Sequence, residues 1–260
     1  MLIVFDVGNS ETTVGVFDGE MLRVTWRIMT DVPRTGDEYA VLLRALLAGA
    51  GMSAEAVTAA SIGSVVPRVT QPLTDACARA LGIGTVTVID GGTSLPIRLD
   101  VDEPLSVGAD RIVNTLAASR LYGRDAIVVD LGTATTYDCI TADGVFLGGV
   151  IAPGVRVMLE TLVRRTSKLP ATELVLPRRV IGRRTEECIR AGVIYGAADA
   201  IDGVVRRIKR EWPGAETPMV IGTGGLAETF ATLCEELEVV QPDLTLQGLR
   251  LAHDHVMAQR

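Results

Sequence analysis

Two stretches of this chain put an acid, a glycine and several hydroxyls at the end of an apolar run. Leu2-Ile3-Val4-Phe5 leads into Asp6-Val7-Gly8-Asn9-Ser10-Glu11-Thr12-Thr13. Ala126-Ile127-Val128-Val129 leads into Asp130-Leu131-Gly132-Thr133-Ala134-Thr135-Thr136. An acid at the end of a buried strand is costly unless it is paired, hydrated or bound to a cation. Gly8 lets backbone approach a ligand closely. Asn9, Ser10, Thr12 and Thr13 supply side-chain donors, and the turn supplies N–H groups. Such a loop can cradle phosphate oxygens while Asp6 holds Mg²⁺. Taken singly it is also the signature of an ordinary polar hairpin. Its recurrence half a chain later is hard to assign to turn chemistry. Two such turns facing each other across a cleft are what an ATP-dependent phosphotransferase requires.

Three further elements carry chemistry. Gly222-Thr223-Gly224-Gly225 follows an apolar run and opens a helix, which suits a contact to adenosine or phosphate at a helix N-terminus. The chain has neither the GxGxxG dinucleotide fingerprint nor a Walker A loop, so a nucleotide site here is of the two-turn kind. Gly108-Ala109-Asp110-Arg111 begins an apolar helical pattern. Asp110 reads either as helix-end electrostatics, its carboxylate stabilised by the macrodipole, or as a general base with Arg111 beside it for an anionic substrate. A lowered pKa is compatible with the second role, because the alcohol proton leaves late in a loose phosphoryl-transfer transition state. His253 and His255 have no other ligand types near them in sequence and read as structural. The pairs Arg178-Arg179 and Arg183-Arg184 read as solvated. Gly192, Gly196 and Ala200, four apart, form a small-residue stripe that permits close helix packing, within the chain or across a dimer.

The elements that would position these residues follow from periodicity. Residues 2–6, Thr12–Phe17 and Met21–Ile28 read as three strands, with Asp18-Gly19 as a hairpin turn. Tyr39, Leu42, Leu43, Leu46, Leu47 and Ala50 keep helical spacing; Thr35 and Glu38 make a capping box, and Gly49 and Gly51 close the helix. Strand, helix and strand follow over Thr58–Gly63, Pro67–Leu81 and Thr85–Ile89. After a helix from about Ala109 to Tyr122, the plan repeats. Ala126–Asp130, Thr135–Thr141 and Val145–Ile151 are strands, and Pro153-Gly154 opens a helix. A long helix runs from about Thr185 to Glu211, and Pro218–Ile221 is a strand. The expectation is a duplicated α/β architecture, divided into 1–117 and 118–260.

Composition bounds the rest. The 260 residues suffice for one large or two small domains with an aliphatic core, aromatics being only 4%. A net charge of −7 argues against a general nucleic-acid binder. Cys77, Cys139, Cys188 and Cys234 are widely spaced, without a CxxC pair, and read as reduced thiols. The N-terminal apolar run stops at Asp6, and no stretch approaches the roughly 18 apolar residues of a membrane span. A soluble cytoplasmic protein is expected.

DVGNS, GADR, DLGTATT, GGVIAPG and TGG, in this order, resemble type III pantothenate kinase, over Met1 to about Leu249. The resemblance implies ribonuclease H-like, actin-like ATPase domains: mixed sheets flanked by helices, with a central cleft. It implies ATP-dependent phosphorylation of pantothenate, the first step of coenzyme A synthesis. Asp6 to Thr13 would be the first ATP-phosphate loop, Asp6 the Mg²⁺ ligand, and Thr133, Gly224 and Gly225 further ATP contacts. Gly108, Ala109, Asp110 and Arg111 would bind pantothenate, with Asp110 as the base. Asp130 would hold a monovalent cation, K⁺ or NH₄⁺. Thr185 would reach the substrate from the partner subunit of a cytoplasmic homodimer. Two departures stand out: Ser10 replaces the family's usual threonine, and Leu99, within Asp90–Asp100, stands where a tyrosine near the pantothenate is usual. That loop keeps open a kinase of the same architecture acting on another small alcohol or carboxylate. A non-catalytic regulator would be expected to have lost Asp6, Asp110 and Asp130. The short chain without large insertions argues against a structural ATPase.

Overall fold

A computed structural model describes residues 1–260, apart from the Ala80 side chain. The chain folds as two compact units: 1–121 with 144–146 and 244–260, and 122–143 with 147–243. This differs from a linear division at 117/118, because the last helix packs on the first unit's sheet.

In the first unit, β1 (Leu2–Val7), β2 (Glu11–Asp18) and β3 (Met21–Met29) form an antiparallel meander. Beyond it come α1 (Gly36–Gly49), β4 (Ala59–Ser64), α2 (Pro67–Asp75) and β5 (Thr85–Ile89), giving the order β3-β2-β1-β4-β5 with β1, β4 and β5 parallel. The expected capping box is present: the Glu38 N–H donates to Thr35 Oγ1, and the Thr35 N–H donates to the Glu38 carboxylate. Gly51 closes the helix at φ +71°. The helix expected to run from Pro67 to Leu81 changes character at Asp75, continuing as a π-helical turn over Ala76–Ala80. Pro72 lies inside α2 and lacks the N–H that regular α-helix needs there.

Leu43, Leu47, Val69 and Leu73 of α1 and α2 join Ile3, Phe5, Val14 and Ile62 in one core cluster. A second cluster joins Val4 and Phe17 to α3 (Ala109–Tyr122) and to the C-terminal helix through Ile112, Leu116, Leu246 and Leu249. Within that C-terminal helix, Gly248 approaches so close to α3 that a Cβ would overlap the Val113 carbonyl. His253 is buried there, its Nδ1 3.0 Å from Thr87 Oγ1, which gives the structural role read from sequence. Between β5 and α3 lies a short strand, β6 (Arg98–Leu99).

The second unit repeats the plan with β7 (Ala126–Leu131), β8 (Ala134–Ile140), β9 (Val145–Pro153), α4 (Val155–Arg164), α5 (Thr185–Glu211), β10 (Met219–Thr223), α6 (Ala227–Ala231) and β11 (Val239–Val240). α7 (Leu244–Ala258) is the C-terminal helix described above. The order β9-β8-β7-β10-β11 matches the first sheet place for place. Ile127, Val129, Leu131 and Val220 meet Leu159, Ile194, Ile201 and Phe230 from the three helices. β6 pairs in parallel with the first residues of β9.

Candidate active site

Asp6 is the penultimate residue of β1, paired in register with Thr13 on β2 and with Gly63 on β4. Asp130 holds the same station in its own sheet, paired with Thr136 on β8 and Thr223 on β10. Each glycine closes its turn: Gly8 N–H donates to the Glu11 carbonyl, three residues on, and Gly132 N–H to the Ala134 carbonyl, two residues on, each at 3.1 Å. Those two N–H groups therefore serve the turn, and what each glycine offers a ligand is room. The repeat seen in sequence thus extends to a glycine N–H that closes each turn onto the start of the next strand, the first turn being one residue longer.

Thr12 departs from the expectation of a donor at the ligand. It is 1% exposed, and its hydroxyl lies 2.8 Å from that of Thr30. Strand alternation turns Thr12 inward and Thr13 to the opposite face. Thr30 also donates its N–H to the Ser10 carbonyl at 2.9 Å, so it clamps the loop from the end of β3. Nothing in its sequence neighbourhood marks Thr30 out. Asn9, Ser10 and Glu11 are exposed at the tip, while Asp6 and Val7 sit at its root.

β4 brings the GADR turn to this loop. Val65 N–H donates to the Val7 carbonyl, and the site of a Cβ on Gly108 is 3.3 Å from the Val65 side chain. Gly63, the register partner of Asp6, has Ala109 Cβ 3.6 Å from where its own Cβ would be. A Cβ on Gly108 would also stand 2.5 Å from Asp110 Oδ1, so only glycine leaves that carboxylate its place. Asp110 Oδ1 accepts the Arg111 N–H at 2.9 Å. Burial pushes the Asp110 pKa above its ordinary value, outweighing the Arg111 N–H and the Arg111 charge, which pull it down. The lowered pKa expected from the helix terminus is therefore corrected: desolvation of the carboxylate dominates. A raised pKa makes Asp110 a stronger base than a solvated aspartate.

In the second unit, three sequence motifs converge. A Cβ on Gly224, which has φ +86°, would overlap Asp130 Oδ1 and stand 2.8 Å from the Leu131 nitrogen. A Cβ on Gly154 would overlap the carbonyls of Gly132 and Thr133, and Gly154 N–H donates to the Thr133 carbonyl at 3.1 Å. The glycines of APG and TGG thus form the floor under DLGT. Gly132, Thr133 and Gly225 are exposed beside them. The sequence marks Gly154 only as the opening of a helix; its place within GGVIAPG is the signal for a role at the loop. Thr185 is the exposed first residue of α5. Within this unit, Gly192 and Gly196 face outward and line a groove with Met158, Leu162 and Leu169.

The donor chemistry suits hard cations. Among the described residues no group of three or more His, Cys, Asp or Glu gathers as an all-protein cage. Strand-end carboxylates such as Asp6 and Asp130 suit an ion that completes its shell with phosphate oxygens and water.

Comparison with known proteins supplies the family. Residues 2–207 match the sequence pattern of type III pantothenate kinase. The chain belongs to that family. It is 43% identical over 251 residues to the type III pantothenate kinase of Acidothermus cellulolyticus, covering 96% of this chain and 97% of the relative. It is 41% identical to that of Rhodospirillum centenum over the full length of both. Among solved structures, MreB5 of Spiroplasma citri bound to ADP superposes with a TM-score of 0.56 at 10% identity, covering 99% of this chain and 97% of that one. The fold of this pantothenate kinase family member is accordingly the actin-like ATPase fold expected from its motifs.

Proposed function

We propose that the chain transfers the γ-phosphoryl group of ATP to the primary hydroxyl of pantothenate, giving 4′-phosphopantothenate, the first step of coenzyme A synthesis. The observation that carries this reading is Asp110, a desolvated carboxylate on a turn that abuts the strand-end loop of Asp6. Family membership supplies the acceptor.

In this reading Asp6 to Thr13, apart from the buried Thr12, receive ATP phosphates in the first unit, and Thr133, Gly224 and Gly225 contact ATP in the second. Gly108, Ala109 and Arg111 hold the acceptor, Arg111 through its carboxylate. Asp110 takes the proton of the hydroxyl as the oxygen attacks the γ-phosphorus. The bond from that phosphorus to the bridging oxygen breaks, and ADP leaves. Mg²⁺ at Asp6 and K⁺ or NH₄⁺ at Asp130 would supply neutralising charge for the phosphate oxygens. Everything else is positioning: clamped loops and glycine floors hold the reacting groups in place.

The enzyme would act as a cytoplasmic homodimer, with Thr185 reaching the partner's substrate. Support for the dimer comes from the outward-facing Gly192 and Gly196 and from the exposed Val180 and Ile181 of the preceding segment. No helix is long and apolar enough to cross a membrane.

A coupled ADP-release assay with added pantothenate, run in K⁺, NH₄⁺ and Na⁺, tests the reading. ADP release should require pantothenate and be strongest with K⁺ or NH₄⁺. Asp110→Asn should lower turnover by about 10²- to 10⁴-fold while binding ATP nearly as well. Full activity in that variant would remove Asp110 from the mechanism. A panel of small alcohols and carboxylates in the same assay tests for another acceptor.

A further inference from the structure

We propose that Phe146 positions Arg111: its ring holds the guanidinium plane so that the in-plane donors meet the acceptor's carboxylate, and this contact sets acceptor affinity. The inference rests on the proposed pantothenate kinase activity.

The Arg111 guanidinium carbon lies 4.9 Å from the centroid of the Phe146 ring. That is within the range in which a ring face attracts a cation. Arginine's donors all lie in one plane, so fixing a face of the group fixes where its hydrogen bonds point. A carboxylate taken bidentately demands that orientation. An arginine left to itself loses rotamer freedom on binding, whereas one already resting on a rigid surface has lost it beforehand.

The Phe146 ring is such a surface. It is 1% exposed. Its strand is pinned by β6: Leu99 is the register partner of Phe146, the Asp100 N–H donates to the Phe146 carbonyl at 2.9 Å, and the Arg98 N–H donates to the Gly144 carbonyl at 3.0 Å. β6 is the end of the Asp90–Asp100 segment, and that segment braces the ring under Arg111. Asp110 is held by the Arg111 backbone N–H, a bond in which the Arg111 side chain takes no part. The base and the anion-binding group sit on adjacent residues but have separate supports, so affinity and proton transfer are separable in experiment.

The test uses the full chain and initial-rate kinetics. Phe146→Leu keeps an apolar side chain and removes the ring face. We expect its KM for pantothenate to rise roughly 3- to 30-fold, with kcat and the KM for ATP within about twofold of wild type. With the neutral analogue carrying hydroxymethyl in place of the carboxylate, KM should not change. Phe146→Met is the second variant should leucine impair folding, and the same result is expected. Combining either with Arg111→Met should add nothing to the acceptor KM of Arg111→Met alone. Equal losses on the charged and neutral acceptors, or a fall in kcat with KM unchanged, would overturn the proposal and leave Phe146 a packing residue. A wild-type chain inactive on pantothenate would overturn the functional reading instead.

Discussion

At the residue scale, the decisive group of the proposed mechanism is Asp110. Burial raises its pKa and outweighs both the Arg111 N–H and the Arg111 charge. With Asp110 as the proposed base, only the ionised form can accept the acceptor's proton, so activity should fall as pH drops through this raised value. The acid limb of kcat/KM should thus lie at higher pH than an ordinary aspartate would give. A limb in the ordinary aspartate range would contradict the desolvation argument. The same shift has a stability consequence. A carboxyl whose pKa is higher folded than unfolded favours the fold at low pH, and that contribution is lost as pH rises through the folded value. Asp110→Asn should therefore be more stable than wild type at neutral pH, with the difference shrinking as pH falls below the folded value. Denaturant melts at several pH values would show it; a variant less stable at neutral pH would speak against it.

At the element scale, function depends on strand ends and the glycines that pack under them. Gly224 combines a left-handed φ of +86° with a site at which a Cβ overlaps Asp130 Oδ1 and lies 2.8 Å from backbone nitrogen. The Asp130 carboxylate can rotate away, but neither the strain nor the collision with the Leu131 backbone can be relieved that way. Gly224→Ala should cost about 1–3 kcal/mol of stability. It should also weaken the proposed activation by K⁺ or NH₄⁺, because the atom displaced belongs to Asp130. Measuring the cation concentration for half-maximal activity in wild type and variant tests this, and an unchanged cation response would detach Asp130 from that role. Gly8 and Gly132 play a different part, since their N–H groups close the turns themselves. In the first loop, Thr30 adds a clamp from the neighbouring strand's end.

At the scale of the whole molecule, a dimer in which Thr185 serves the partner's site makes a sharp prediction. Asp110→Asn and Thr185→Val variants, each weakly active alone, should recover activity when mixed and allowed to exchange subunits. Each heterodimer would hold one site with neither change, so random reassociation should restore about a quarter of wild-type activity. Mixtures no more active than the mean of the separate variants would place Thr185 outside the partner's site. Sedimentation of the wild type fixes the assembly state in the same experiment.

The strand-end loops of the candidate site were legible in the chain because their determinants are local. The acid, the glycine and the hydroxyls of each loop lie within a few residues of one another, and the period of the flanking apolar residues shows that they cap strands. The helices at Ala109–Tyr122 and Thr185–Glu211 were equally readable from spacing and stop signals. The duplication followed from comparing Asp6 with Asp130. Other features depend on residues far apart in sequence. That Thr12 faces Thr30, that Gly154 and Gly224 floor the second loop, and that Phe146 underlies Arg111 are outcomes of strand register. The return of the last helix to the first sheet depends on Leu246 and Leu249 finding an apolar face made by β1 and α3. The direction of the Asp110 pKa also waited on tertiary structure: the helix start is visible in sequence, but the water excluded from its first turn is not. Local chemistry set which groups are present, and packing set their neighbours and their solvent.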